Sequence, residues 1–247
     1  RLWGDKAYFV FNRQINPTNI CVLSCTFCDF AKNKGDADAY EMGMDEILAK
    51  LDPEMQEVHI VGGHHPDWPF ERYEGIIRGI HEAFPSIRIK AWTAAEIDYF
   101  CKRFKMSVEE VLTRMKDAGL VSMPGGGAEV FSNRVRKELF PGKNSAERWL
   151  EIHRLAHNMG VRSNATLLHG HIETLEERVH HMVLLRELQE AYNLTFFYIT
   201  HDVATARHFS HRIAVMYLGR IVEMGRVGEV TREPLHPYTK AMIEAVP

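Results

Sequence analysis

Three cysteines within one short segment are the residues of this sequence best suited to chemistry. Cys21, Cys25 and Cys28 lie in the run CVLSCTFC, whereas the fourth cysteine, Cys101, lies far along the chain. Residues 1–5 and the short run after them do not resemble an export signal, and closely spaced thiols without such a signal hold a metal more often than they form disulfides. Soft thiolates select zinc or an iron–sulfur cluster. The segment therefore predicts a metal centre.

The CxxxCxxC spacing bears on which metal is bound. A structural zinc site requires a fourth Cys or His nearby, and zinc knuckles are usually built from CxxC pairs. Three local thiolates instead leave one iron of a four-iron cluster without a protein ligand and free to bind another molecule. We therefore favour a cluster, with zinc and unrelated buried thiols as the alternatives.

The elements that position this segment follow from the hydrophobic pattern. Short strand-like runs alternate with longer amphipathic runs, which predicts a parallel sheet or a (β/α) barrel. Strands are predicted at residues 7–12, 57–61, 87–93, 120–123, 161–168 and 194–200, and helices at residues 44–51, 70–83, 107–118, 145–159 and 174–192. In such barrels the chemistry lies at the carboxyl ends of the strands.

Unusual residues follow each of the first five predicted strands. They are the cysteine segment at 21–28, the glycine and histidine run at 62–66, Glu96, the glycine run at 124–127 and the run Gly-His-Ile-Glu at 170–173. Because the carboxyl ends of parallel strands lie on one rim, we expect these residues to surround one site.

Length and composition bound the remaining possibilities. The chain has 247 residues, of which 45% are hydrophobic and 26% charged, as in a globular protein with one large domain or one domain plus a small appendage. The 30 Lys and Arg against 33 Asp and Glu give a net charge of -3, which does not favour nucleic acid as a partner. No run approaches the roughly 20 apolar residues of a membrane span. We expect a cytoplasmic protein.

The cysteine segment, in which Phe27 directly precedes the third cysteine, resembles the radical S-adenosylmethionine (SAM) enzymes. In that family three cysteines hold a 4Fe–4S cluster, and the amino and carboxylate groups of SAM bind the fourth iron. The resemblance implies that Cys21, Cys25 and Cys28 are the cluster ligands and that the fold class is α/β, with a partial (β/α)6 radical SAM barrel.

Longer runs narrow this resemblance. They lie at residues 16–20, 35–40, 57–71, 90–97, 124–131, 164–174 and 185–189. Together they are similar to aminodeoxyfutalosine synthase, a radical SAM family of the futalosine route to menaquinone, and the similarity covers about residues 1–189. Trp92 and His169 depart from that pattern, since Phe and Tyr are expected at these positions.

The resemblance implies both a reaction and a set of roles. A reduced cluster cleaves SAM, and the adenosyl radical adds to 3-[(1-carboxyvinyl)oxy]benzoate to give aminodeoxyfutalosine after rearrangement and decarboxylation. An electron donor such as flavodoxin or ferredoxin is implied as a partner. Glycines allow close approach of backbone to a ligand, and imidazole titrates near neutrality. The residues expected to bind the cofactor are Phe27, Gly62, Gly63, Thr93 and Glu96, and the candidate catalytic residues are His64, His171 and Glu173.

After residue 189 the resemblance changes. Residues 194–202, 211–225 and 234–240 resemble the C-terminal end of an oligopeptide or dipeptide ABC transporter ATPase, with His201 at the position of that family's switch histidine. The sequence contains no GxxxxGK[ST] loop, so we expect no ATP hydrolysis. We therefore predict two domains, a radical SAM barrel at 1–189 and an ABC-ATPase-like α/β tail at 190–247, in which residues 194–200 are a candidate sixth barrel strand.

Three alternatives to an active synthase stay open. A radical SAM enzyme similar to dehypoxanthine futalosine cyclase is the nearest. An inactive hybrid keeps the barrel only as a cluster-binding scaffold. A remnant of a transporter ATPase binds a partner through its tail and has no cluster chemistry.

Overall fold

The computed structural model describes residues 10–23, 25–192, 203, 206–207, 210–218 and 220–245. Val10–Leu185 forms one compact unit, and the described residues from Arg186 onward belong to a second. The predicted strand at 194–200 and His201 lie outside the described residues. Within the described ranges, no helix combines the length and apolar character that crossing a membrane requires.

A five-stranded parallel sheet forms the centre of the first unit, with the strands in the order β1-β2-β3-β4-β5. The strands are β1 Asn12–Ile15, β2 Glu57–Ile60, β3 Arg88–Ala91, β4 Leu120–Met123 and β5 Arg162–Ser163. Each strand pairs with the next one along the chain, so that Ile15 lies opposite Ile60 and Ile60 opposite Ala91. The predicted parallel sheet is confirmed, and its carboxyl ends share one rim.

Helices connect the strands. They are α1 Met44–Ala49, α2 Phe70–Ala83, α3 Ala94–Phe104, α4 Val108–Ala118, α5 Asn133–Leu139, α6 Ala146–Asn158 and α7 Leu175–Tyr192. The predicted helix at 70–83 has the bounds of α2, and α4 and α6 begin directly after the capping residues Ser107 and Ser145. α3 and α5 were not predicted from the sequence. The predicted domain boundary at residue 189 falls inside α7.

Two strands differ from their predicted ranges. Residues 7–9 of the predicted strand at 7–12 lie outside the described residues, and residues 10 and 11 are not in a strand. β1 begins at Asn12, and its first three residues are exposed, so the pairing with β2 rather than apolar side chains defines it. β5 has only two residues, because the chain after it bonds to the loop beyond β4. Thr166 Oγ1 donates to the Gly125 carbonyl at 3.0 Å, and Leu168 N donates to the Glu129 carbonyl at 2.9 Å.

The hydrophobic core lies between the sheet and the helices packed on it. Ile60 and Ile89 from the strands and Ile76, Phe100 and Leu112 from the helices are all completely buried. Full burial of such a side chain is worth about 1.5–3 kcal/mol relative to exposure. This core fixes the strands, and thereby the rim from which the site residues project.

The second unit contains an antiparallel hairpin followed by two helices. The elements are β6 Arg212–Tyr217, β7 Arg220–Arg226, α8 Val227–Arg232 and α9 Pro237–Glu244. Tyr217 of β6 packs on Tyr238 of α9, with ring centroids 4.4 Å apart. The predicted tail therefore contains both strands and helices, while its relation to a transporter ATPase stays a prediction.

Candidate metal and cofactor centre

The three clustered cysteines line one cavity of about 160 Å³ at the carboxyl rim of the sheet. The cysteine loop at residues 21–30, the loop after β2, the start of α3 and the loop after β4 all contribute to it. Of the residues singled out in the sequence, the lining includes Cys21, Cys25, Phe27, Cys28, Gly62, Gly63, His64, Thr93 and Glu96. His171 and Glu173 are not among the lining residues.

Backbone hydrogen bonds hold the cysteine loop against three neighbouring segments. Cys21 N donates to the Lys32 carbonyl at 3.0 Å, and Val22 N donates to the His64 carbonyl at 3.0 Å. Thr26 N donates to the Leu139 carbonyl at the end of α5, at 2.9 Å. These bonds therefore fix the loop to the rim.

The three thiols are free, half-buried and electrostatically coupled. Burial raises the pKa of the Cys25 thiol, the Lys143 ammonium opposes this increase, and the neighbouring Cys21 and Cys28 add to it. Within the described ranges, no three Cys, His, Asp or Glu side chains are arranged to hold a single metal ion. Three thiols on one cavity wall match the donor set of an iron–sulfur cluster, in which each sulfur ligand binds a different iron.

Gly63 allows the cysteine loop to pass close to the loop after β2. A Cβ atom at this position would lie 2.0 Å from the Ile20 carbonyl oxygen. Gly63 N also donates to the Thr18 carbonyl at 3.0 Å. The space beside Gly63, which the sequence analysis expected a ligand to fill, is thus occupied by the backbone of Ile20 that leads into Cys21.

Glu96 connects the loops that follow β2 and β3. Its carboxylate accepts hydrogen bonds from Gly62 N at 2.9 Å and from Thr93 N at 2.7 Å. Thr93 in turn accepts from Glu96 N, which completes a capping box at the start of α3. Burial raises the pKa of the Glu96 carboxyl to about 7, although the two amide donors favour its ionised form. Thr93 and Glu96 therefore shape the cavity wall.

His64 presents a neutral imidazole to the cavity. Its ring stacks on Tyr99 with centroids 4.8 Å apart. Burial, assisted by the nearby Lys143 cation, lowers the pKa of His64 to about 3. At neutral pH this side chain therefore acts as a neutral hydrogen-bonding group rather than as a cation.

His171 and Glu173 are engaged with each other and with the turn before α7. The Glu173 carboxylate accepts from Gly170 N at 2.7 Å, from His171 N at 2.9 Å and from Arg178 at 2.8 Å. Burial raises the pKa of Glu173, but these amide and arginine donors outweigh it and bring the pKa to about 2. His171 Nε2 lies 3.0 Å from the Leu168 carbonyl. In this structure both residues stabilise a turn outside the cavity lining.

The cavity wall also contains an ion pair that the sequence motifs did not indicate. Lys143 Nζ lies 2.7 Å from Glu129 Oε1, and both side chains are largely buried. The Lys143 ammonium also lies over the rings of Phe27 and Phe140, at 5.2 and 5.8 Å from their centroids. Glu129 follows the glycine run after β4, which was a usable signal. Lys143 follows α5 without a motif of its own, so only the fold brings it to the cavity.

A three-cysteine loop at the carboxyl rim of a parallel strand–helix sheet defines a radical SAM protein. Residues 15–185 match the family model of the Radical SAM superfamily, and the chain belongs to this superfamily.

Among characterised proteins, the chain is similar to the aminodeoxyfutalosine synthase of Thermus thermophilus. The two are 48% identical over 194 residues, which cover 77% of this chain and 52% of that protein. The cyclic dehypoxanthine futalosine synthase of Streptomyces coelicolor is 39% identical over 189 residues, or 74% of this chain and 47% of its own length. The chain spans about half the length of the curated relatives it matches.

A solved structure supports the fold. The FeFe-hydrogenase maturase HydG from Carboxydothermus hydrogenoformans aligns with a TM-score of 0.57 at 15% identity, covering 75% of this chain and 42% of that chain. At this level of identity the similarity concerns the fold alone.

Proposed function

We propose that this chain acts as a radical SAM enzyme of the aminodeoxyfutalosine synthase type in menaquinone biosynthesis. Its substrate is 3-[(1-carboxyvinyl)oxy]benzoate, and its product is aminodeoxyfutalosine. The observation that carries the proposal is the cavity that joins Cys21, Cys25 and Cys28 to the charged pair of Glu129 and Lys143. The 48% identity to the Thermus thermophilus synthase supports the choice of substrate.

In this proposal the cavity residues divide into those that hold the cluster and those that bind SAM. The three cysteine thiolates hold the 4Fe–4S cluster, and the reduced cluster and SAM together supply the 5′-deoxyadenosyl radical. Lys143 and Glu129 have charges that complement the carboxylate and the ammonium of an α-amino acid. Both line the cavity beside Cys25, so this end of the cavity suits the amino acid part of SAM.

His64, His171 and Glu173 are the proposed residues for the carboxylate-bearing substrate. His64 lines the cavity with a neutral ring that donates or accepts one hydrogen bond. His171 and Glu173 are held in the turn before α7, so we assign them the lesser role of supporting a substrate-facing loop.

Cluster reduction requires an electron donor, and we propose flavodoxin or ferredoxin. Val22, Phe27 and Phe30 are exposed apolar side chains of the cysteine loop. Exposed apolar groups beside a redox centre suit a small, transient protein contact. These exposed side chains support a contact surface for the proposed donor close to the cluster ligands.

The similarity to the cyclic dehypoxanthine futalosine synthase supports a second candidate function. The experiment that separates the two candidates incubates cluster-loaded, reduced protein with SAM and either the enolpyruvyl benzoate or dehypoxanthine futalosine. We expect aminodeoxyfutalosine by mass spectrometry from the benzoate only. Conversion of dehypoxanthine futalosine instead would assign the cyclase activity, and SAM cleavage without either product would indicate a working cluster site beside a substrate site that accepts neither compound.

For the segment at 190–247 we propose a relation to the end of an oligopeptide or dipeptide ABC transporter ATPase. The run at 211–225, which carries part of this resemblance, coincides with the hairpin β6–β7. This supports the view that the run comes from a folded protein. The proposal predicts that the chain releases no phosphate from ATP, because the sequence has no phosphate-binding loop. Steady ATP hydrolysis by the purified chain would contradict it.

A further inference from the structure

Arg136 of α5 is a buried cation whose hydrogen bonds go to backbone carbonyls. The residue is 6% exposed. Its Nη1 atom donates to Ala128 O at 2.8 Å and to Val130 O at 3.3 Å, and its Nη2 atom donates to Gly127 O at 3.0 Å and also to Asn144 O. Burial lowers the pKa of this guanidinium to about 10, so it stays charged at neutral pH.

A charge buried in this way is costly and needs compensation. Within the part of the chain that the structure describes, no carboxylate forms an ion pair with the Arg136 guanidinium. The compensation comes from the carbonyl dipoles of two loops and from the nearby charges of Glu129 and Glu147, which oppose the effect of burial on the Arg136 pKa. The planar guanidinium presents its N–H donors in a rigid fork. It therefore fixes the distance between the two loops and also provides hydrogen bonds for their carbonyl groups.

These carbonyls belong to the two loops that carry the ion pair of the cavity. Ala128 and Val130 flank Glu129, and Asn144 directly follows Lys143. One guanidinium therefore fixes the backbone on both sides of Glu129 and next to Lys143. The 2.7 Å pair between these two side chains is formed on the frame that Arg136 holds.

We propose that Arg136 is a positioning residue for cofactor binding, which acts by holding Glu129 and Lys143 in register to bind the amino acid part of SAM. This inference rests on the proposed function. A purely structural role is the rival explanation, because the guanidinium also packs over the Phe140 ring at 4.9 Å.

The test measures binding rather than turnover. Anaerobically cluster-loaded protein without reductant is titrated with SAM and with 5′-methylthioadenosine, which has the nucleoside but lacks the amino acid. The variants are Arg136→Lys, Arg136→Gln and Lys143→Met, with Lys137→Gln as the matched control because Lys137 is an exposed cation of the same helix. Iron content and melting temperature are recorded for each variant.

We expect each Arg136 variant and Lys143→Met to bind SAM about tenfold more weakly, as the loss of one charge-assisted contact implies. Binding of 5′-methylthioadenosine changes by less than about twofold, since its contacts do not involve the pair. Lys137→Gln binds both ligands as the unaltered protein does. Because Arg136 acts in part through Lys143, the double variant Arg136→Gln/Lys143→Met loses less SAM affinity than the sum of the two single losses.

Four outcomes would overturn the inference. They are unchanged SAM affinity in Arg136→Lys and Arg136→Gln, additive losses in the double variant, an equal loss for both ligands, and failure of both Arg136 variants to fold, which would assign the residue to stability alone. If the unaltered, cluster-loaded protein does not bind SAM at all, it is the proposed function that fails, so the two failures are distinguishable.

Discussion

Side chains around the cavity fall into two groups, those that connect the loops of its wall and those that offer charge to a ligand. Glu96 and Thr93 bond to each other and to Gly62, so they build the wall. The three thiols and the pair of Glu129 and Lys143 present charge, or the capacity for charge, to the cavity. At the residue scale, binding is therefore expected from the second group and stability from the first.

The cluster ligands give the first prediction. Cys25→Ala should abolish loading of a four-iron cluster, because the remaining thiolates leave a second iron without a protein ligand. Iron content and visible absorbance after anaerobic reconstitution measure this. Cys101→Ala is the control: this thiol is buried on α3 outside the cavity, so loading should be unchanged. Equal cluster content in both variants would refute the ligand assignment.

Glu96 gives a prediction about stability. Glu96→Gln replaces one of the two oxygens that accept from Gly62 N and Thr93 N with an NH2 donor, so that one of these half-buried N–H groups faces a donor instead of an acceptor. We expect a loss of about 1–3 kcal/mol in the free energy of unfolding. Urea denaturation measures it, with Glu109→Gln as control, since Glu109 is exposed in the first turn of α4. A loss of less than about 0.5 kcal/mol, as at ordinary surface positions, would contradict this account of Glu96.

At the scale of elements, the site depends on how closely the loops approach one another. The cysteine loop passes the loop after β2 at Gly63, and α5 anchors it through the Leu139 carbonyl. Carboxyl ends of five parallel strands deliver these loops to one rim. Substitutions in these loops are therefore expected to reduce cluster loading more than they disturb the sheet.

Gly63→Ala tests this dependence. The new Cβ atom would collide with the Ile20 carbonyl, so the entry to the cysteine loop has to move. We expect a loss of about 1–3 kcal/mol in unfolding free energy together with reduced iron content. Gly75→Ala is the matched control, because nothing lies within 4 Å of its added Cβ in α2 and alanine favours a helix. Full iron loading of Gly63→Ala at unchanged stability would show that the close approach is not required.

Elements with a strong local signal are predictable from the sequence, and those defined by tertiary contacts are not. α2 has its predicted bounds because Ile76, Ile77 and Ile80 repeat on one buried face. β5 is shorter than its apolar run implies, since Thr166 and Leu168 bond to the loop after β4. α3 has a Thr-x-x-Glu start signal, which the sequence analysis took only as a pair of ligand residues.

The same contrast applies to the site. The cysteines, Gly62, Gly63 and His64 are clustered in short runs, and the structure brings them to one cavity. Lys143 and Arg136 lie in or after α5, a helix that the sequence analysis did not predict, and no spacing relates them to the cysteines. Their part in the site follows only from packing.

For the whole molecule, buried histidines are expected to control acid stability. Burial lowers the pKa of His64, His153 and His181 to about 3 each. The unfolded chain, with histidine pKa values near the usual 6.5, therefore binds more protons than the folded state between about pH 6.5 and pH 3. Stability from these groups is complete above about pH 6.5 and is lost as the pH falls toward 3.

The corresponding measurement compares urea midpoints of the apoprotein from neutral pH down to pH 5. Each neutral buried imidazole contributes up to about 1.4 kcal/mol per pH unit to the slope of the unfolding free energy against pH. His153→Phe should reduce the slope, since His153 is fully buried against Trp149, at a centroid distance of 3.6 Å. His180→Gln, at an exposed position of α7, should leave it unchanged. An unaltered slope in His153→Phe would contradict the prediction.

The central claim is that the cysteine-lined cavity of this superfamily member binds a cluster and cleaves SAM. The most direct measurement is the formation of 5′-deoxyadenosine by the anaerobically reconstituted, dithionite-reduced full chain, with Cys25→Ala alongside. We predict that 5′-deoxyadenosine forms in the unaltered protein, requires the reductant and is absent from the variant. A protein with a full complement of cluster iron that forms no 5′-deoxyadenosine, with or without the enolpyruvyl benzoate, would contradict the claim.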